Sequence, residues 1–174
     1  KPKGEPVLSV KNLSAPGFEK VSFELHKGEI LGIAGQLGSG RTELSLALSG
    51  LLPKTEGTIM VDGAEVEMKS VSEAQNLGIA LVPEDRLTEG LFLPQPIYKN
   101  ISVASLDRIS GRAGILKNKD EKELSAKWVK EIGVATKDHT LPVSTLSGGN
   151  QQKVVLAKCL ATSPKVLILN GPTV

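Results

Sequence analysis

The sequence predicts an α/β fold: a largely parallel sheet surrounded by helices, an antiparallel β portion at its N-terminal end and a small helical subdomain. Three observations point there. Short apolar runs of strand length alternate with helical patterns from residue 30 onward, two period-two segments precede them, and an amphipathic helix lies between two glycine-rich turns. With 174 residues, 40% of them hydrophobic and 23% charged, the chain can bury a core and form one domain or most of one. Its net charge of +2, with both signs interspersed, gives no electrostatic footprint for DNA or RNA.

Taken in order, Lys1–Pro6 is polar and punctuated by proline, so it reads as a linker with further chain expected before it, and the folded domain is expected over 7–174. Leu8 to Leu13 and Val21 to Leu25 alternate as antiparallel strands do, and Lys27-Gly28 turns the chain into the apolar run Ile30–Ala34, which reads as a strand. Strands are also expected over Gly57–Val61 and Ile79–Val82, with a short helix near Val71 to Gln75 between them. From Pro83 to Lys99 three prolines make the chain irregular, and a loop of that length in a compact domain is usually functional or mobile. The helix Lys119–Ile132 puts Leu124, Trp128 and Ile132 on one face, with Trp128 in the core of the helical subdomain. A last apolar strand, Val166–Leu169, ends at Asn170-Gly171-Pro172-Thr173.

Two glycine-rich turns carry the chemistry. In Leu146-Ser147-Gly148-Gly149-Asn150-Gln151 a serine and two glycines stand just before a helix, whose unpaired N–H groups and partial positive charge attract phosphate. Taken alone, the segment also suits an ordinary helix cap with Ser147 as N-cap. Upstream, Gly35-Gln36-Leu37-Gly38-Ser39-Gly40-Arg41-Thr42, with Glu43 after it, lies between an apolar run and a helical pattern. Such a loop cradles phosphates with successive N–H groups, and needs a cation for the outer phosphates and a hydroxyl for magnesium. Thr42 fits the hydroxyl, while Arg41 stands where lysine is expected.

Together these motifs resemble the nucleotide-binding domain of ABC transporters, with Gly35–Thr42 as the Walker A loop and Leu146–Gln151 as the family signature. The Gly-Arg-Thr variant, Val82-Pro83-Glu84-Asp85-Arg86 and Gly149-Asn150-Gln151-Gln152-Lys153 are similar to the carbohydrate importers, and within them to the second of two ATPase domains fused in one polypeptide. The resemblance implies a P-loop NTPase fold with a helical subdomain over about 96–150, and ATP and Mg²⁺ as ligands. It also implies a second ATPase domain, transmembrane permease subunits and, indirectly, a sugar-binding protein as partners, at the cytoplasmic face of the cell membrane. Competing readings are a non-transport ABC ATPase and a nucleotide-sensing module without catalysis.

The resemblance also assigns residues. Phe18 is the candidate for an aromatic ring stacked on adenine, and it is equally suited to packing. Glu84 stands where the family has a glutamine that reaches magnesium, so Thr42 and Glu84 are the expected metal ligands. The signature acts in trans, on ATP held by the partner domain. In the Walker B strand an aspartate and a glutamate are expected, and Asn170 and Gly171 occupy those places. Asparagine carries no charge and glycine cannot orient water, and loss of a base costs about 10²–10⁴-fold. The domain's own site is therefore expected to be degenerate, with Glu84 and Asn170 as its remaining catalytic candidates. Further strands and a switch histidine are expected beyond Val174.

No run of about 18 apolar residues is present to span a bilayer. The single cysteine, Cys159, reads as a buried structural residue, and the separated His26 and His139 make no metal site.

Overall fold

A computed structural model describes residues 4–110 and 116–171, which divide into two compact units, Lys1–Ala80 and Leu81–Val174. Lys1–Lys3 of the expected linker and Pro172-Thr173 lie outside the described residues.

The first unit is built on a four-stranded antiparallel sheet of β1 (Pro6–Ala15), β2 (Phe18–His26), β3 (Glu56–Val61) and β4 (Ala64–Val66) in the order β2-β1-β3-β4. Pro6, expected in the linker, pairs with His26 at the start of β1. The register sets Leu8 opposite Leu25 and Val61, and Val10 opposite Phe23 and Ile59, so apolar side chains share the face that is removed from water. Leu8, Val10, Leu13, Ile59 and Val61 are all buried. Two helices complete the unit, α1 (Arg41–Leu48), which buries Leu44, Ala47 and Leu48, and α2 (Val71–Asn76). The hydroxyl of Ser70 caps α2 by accepting from Glu73 N–H at 3.2 Å.

The apolar run Ile30–Ala34 differs from expectation. It joins no sheet among the described residues, and Ile30 is 97% exposed and Ile33 48% exposed. A strand exists only where a neighbour pairs with it, and no described strand does so here.

The second unit pairs β5 (Ile79–Val82), whose first two residues close the first unit, with β6 (Val166–Leu169). Its helices are α3 (Ile97–Ser102), α4 (Leu106–Ile109), α5 (Asn118–Ile132) and α6 (Gly148–Ala161). Ile97, Ile101, Val143, Val154 and Val155 form the centre of this core. The apolar stripe expected on α5 is only half-buried: Leu124, Trp128 and Ile132 sit at its margin, while Glu121 and Ser125 are the buried positions. The burial of a carboxylate is offset by a hydrogen bond, since Ser102 Oγ donates to Glu121 Oε1 at 2.7 Å.

Irregular backbone over 91–96 is held by one side chain. Asn100, 1% exposed, accepts from Phe92 N–H at 2.8 Å and donates to the carbonyls of Phe92, Gln95 and Pro96 at 3.1–3.2 Å. The same stretch bonds to the segment before α6, with Val143 N–H on Gln95 O and Ser144 N–H on Leu93 O. Antiparallel and parallel pairing, helices and a central glycine loop together make an α/β P-loop fold.

Candidate functional site

In the first unit the glycine loop enters α1 through Gly40, whose φ of 86° is a conformation that side-chain-bearing residues rarely adopt. A Cβ there would run into the Gly17 carbonyl and stand 2.7 Å from Phe18 Cβ, so the loop is seated directly on the turn between β1 and β2. Gly35 to Ser39 are exposed, Ser39 N–H bonds back to Gln36 O at 3.1 Å, and the space beside Gly38 is open. Arg41 extends its stem past Gly35, with Cδ 3.4 Å from where a Cβ would be. The stem of Glu43 lies against Gly17. Phe18 is 8% exposed and forms part of the wall of a cleft of about 630 Å³ shared with Ser14, Ala15, Lys20 and Glu56. Exposed N–H groups at a helix start can receive an anion, and Thr42, in the first turn of α1, offers a hydroxyl beside them.

In the second unit, residues from opposite ends of the sequence meet at the ends of β5 and β6. Asn170 N–H donates to Val82 O at 3.1 Å, and a Cβ on Gly171 would stand 3.3 Å from Glu84 Cγ. The Glu84 side chain and the Gly171 backbone are therefore neighbours. Carboxylate and amide oxygens, which Glu84 and Asn170 carry, are hard donors of the kind a magnesium ion takes. Gly171 has a φ of 54°, which a larger side chain would occupy only with strain. Beside Glu84, the Asp85 carboxylate accepts from Thr88 Oγ1 and from the N–H groups of Leu87 and Thr88. The Thr88 hydroxyl foremost, then the Leu87 N–H, hold its pKa below the ordinary carboxylate value, and Arg86 adds to this.

The start of α6 answers the choice between a plain cap and an open turn. Ser147 occupies the N-cap position with extended backbone, yet its side chain caps no N–H of the helix. Its Oγ accepts instead from Asn150 Nδ2 at 3.0 Å, and Asn150 Oδ1 accepts from Ala135 N–H at 2.8 Å. Gln151 Nε2 donates to Leu146 O at 3.1 Å. Asn150 and Gln151 thus brace the turn, and Ser147 and Gly149 remain exposed. First-turn N–H groups without a side-chain cap are the physical requirement for binding an anion.

Motif reading includes Arg86 in Val82–Arg86 without assigning it a role, and it passes over Asn100. Arg86 lies over α6, with Nη2 2.9 Å from where a Cβ on Gly148 would stand. Asn100 orders the loop before α3. A loop carrying three prolines needs a side chain with both donors and acceptors, and that need was the available signal for Asn100.

A glycine loop opening α1, an uncapped glycine turn opening α6, and oxygen donors at adjoining strand ends define a nucleotide-binding domain of the P-loop class. Comparison with known proteins narrows the class. The sequence pattern of the ABC transporter family matches residues 18–174, and the chain belongs to that family. Among curated relatives, the ribose import ATP-binding protein RbsA of Oceanobacillus iheyensis is 43% identical over 171 residues, covering 98% of this chain and 34% of that protein. Ribose import ATP-binding protein RbsA 2 of Rhizobium johnstonii is 46% identical, covering 98% and 33%. The chain thus spans about a third of the length of these relatives. Among solved structures, a nucleotide-free ATP-binding cassette from an ABC transporter has a TM-score of 0.82 at 17% identity, covering 98% of this chain and 70% of that one. A dimeric ATP-binding cassette bound to ADP and Pi has a TM-score of 0.78 at 19% identity, covering 95% and 74%. These two show the fold.

Proposed function

We propose that this chain is an ATP-binding domain of a carbohydrate importer, the second of two such domains in one polypeptide. It works peripherally at the cytoplasmic face of the membrane with permease subunits and, through them, a sugar-binding protein. The ribose import relatives support the substrate class. Among the described residues no helix is long and apolar enough to cross a membrane. The segment over about 96–150 serves as the helical subdomain, and its exposed side receives the membrane partner.

The loop from Gly35 to Thr42 holds the phosphates of ATP, with Arg41 as a planar cation in place of lysine. Phe18 borders the adenine side and Glu43 braces the loop. Thr42 and Glu84 offer oxygen ligands for magnesium, which when bound neutralises phosphate charge. Asn170 offers an amide where a carboxylate would hold metal more strongly, and Gly171 offers nothing to orient water. This site therefore keeps ATP more than it consumes it.

The single observation that carries the proposal is the start of α6: Ser147 leaves the first-turn N–H groups uncapped while Asn150 and Gln151 hold the turn in shape. An intact signature beside an impaired Walker B strand favours action in trans, in which Ser147, Gly148 and Gly149 close the ATP held by the partner domain. The Asn170-Gly171 pair also favours a second reading, a nucleotide-sensing half that never turns over ATP. Binding of a fluorescent ATP analogue to the complete domain, with and without magnesium, is to be measured beside phosphate release. Magnesium-sensitive binding with negligible release is expected. Release abolished by Thr42→Ala would show that another residue activates water and would overturn the degenerate site.

A further inference from the structure

The loop after β5 is fastened to α6 at both of its ends. A five-residue π turn, Arg86–Gly90, follows Asp85, whose carboxylate caps the turn's first N–H groups. At the far end Lys158 Nζ donates to Gly90 O at 2.5 Å, and a Cβ on Gly90 would meet Val155 Cγ2 at 3.0 Å, so the turn is seated on the middle of the helix. At the near end the Arg86 guanidinium lies on the first turn of α6. A Cβ on Gly148 would stand 2.9 Å from Nη2 and 3.6 Å from Cζ, so a side chain there would push the end of the arginine aside.

We propose that Arg86 is a positioning residue for the Ser147-Gly148-Gly149 turn, and the charged link by which the loop after β5 sets that turn's competence to close on a nucleotide phosphate. This rests on the reading that the turn acts in trans. Arg86 Nε is buried and has no hydrogen-bond partner among the described residues, while the guanidinium packs against Gly148 and acts on the neighbouring Asp85 carboxylate. A cation at the positive end of a helix is repelled, and the arrangement becomes favourable when an anion arrives at the same end. Arg86 thus acts through the glycine turn, whose backbone it keeps in place. Because Lys158 and Val155 seat the far end of the π turn on α6, a displacement confined to the near end would carry Arg86 off Gly148. The reach of a partner seated on that loop therefore extends to the signature.

The test uses the complete transporter in lipid vesicles, with ATP turnover and thermal unfolding measured for each variant. Arg86→Ala is expected to lower kcat on the order of 10–100-fold with KM for ATP unchanged, the signature of a misplaced group that does not itself hold substrate. Gly148→Ala displaces the same guanidinium and also adds a methyl group to the turn that closes on ATP, so its loss should equal or exceed that of Arg86→Ala, and the double variant should be no worse than Gly148→Ala alone. Arg86→Lys keeps a cation without the planar fork and should fall between wild type and Arg86→Ala while remaining folded. Ser147→Arg is the control for action in trans. If it abolishes turnover while Arg86→Ala and Arg86→Lys run at the wild-type rate, the role of Arg86 is overturned and the trans reading stands. Multiplying losses in the double variant would also overturn it. Wild-type turnover in Ser147→Arg would bring down the trans reading and the inference together.

Discussion

Replacing Asn100 with alanine should loosen the backbone that leads from the post-β5 loop into α3, and the cost can be worked from its partners. The side chain is 1% exposed and makes four hydrogen bonds. Three of its partners are carbonyls that keep a second donor: Gln95 N–H on Phe92 O, Val143 N–H on Gln95 O, and Asn100's own N–H on Pro96 O. Only Phe92 N–H loses its sole described partner, and since Phe92 is 60% exposed water can replace it in part, which holds the cost to about 1 kcal/mol. The lost donor bonds and the small cavity add to this, giving roughly 2–4 kcal/mol in total. Urea denaturation followed by the fluorescence of Trp128, the one tryptophan, would measure it. Asn100→Asp sharpens the test. Its carboxylate would face three carbonyls, raising the folded-state pKa above the unfolded value of about 3.9. The added cost is then absent below pH about 4 and grows as the pH rises. A change under about 0.5 kcal/mol for Asn100→Ala, the size of an ordinary surface substitution, would refute this account of the loop.

Gly40→Ala should weaken binding of a fluorescent ATP analogue and lower the melting temperature, because the new methyl group meets Gly17 and Phe18 at a φ of 86°. Unchanged affinity would show that the loop reforms without that seat. Asn170→Asp should strengthen magnesium-dependent nucleotide binding by adding a charge at the end of β6, and Glu84→Gln should weaken it, both read by titration of magnesium at fixed nucleotide. Burial pushes the Cys159 thiol up to about 11, while its Sγ donates to Leu81 O at 3.3 Å. Its folded pKa exceeds the ordinary value of 9.0, so the unfolded state releases the proton first and stability falls between pH 9.0 and about 11. The slope approaches about 1.4 kcal/mol per pH unit. Comparison with Cys159→Ala isolates the thiol from neighbouring Lys158, whose pKa burial lowers and whose effect on stability has the opposite sign over its own window.

Local pattern determined a good deal on its own. Alternation over Leu8–Leu13 and Val21–Leu25 named β1 and β2, the glycines after residue 34 marked the phosphate loop, and the Ser-Gly-Gly step located the start of α6, because each depends on neighbours a few residues away. Tertiary structure decided what depends on distant partners. The run Ile30–Ala34 has strand composition, yet it pairs with no described strand, since pairing is a property of two segments. The face of α5 that reads as apolar is half-buried, because Ser102 reaches Glu121 and draws that carboxylate inward. The meeting of Glu84 with Gly171 comes from the pairing of β5 with β6, and the seat of Arg86 on Gly148 comes from packing of the π turn on α6. A motif reports which groups a chain possesses, whereas the direction in which a guanidinium or an amide points is settled only when remote segments close around it.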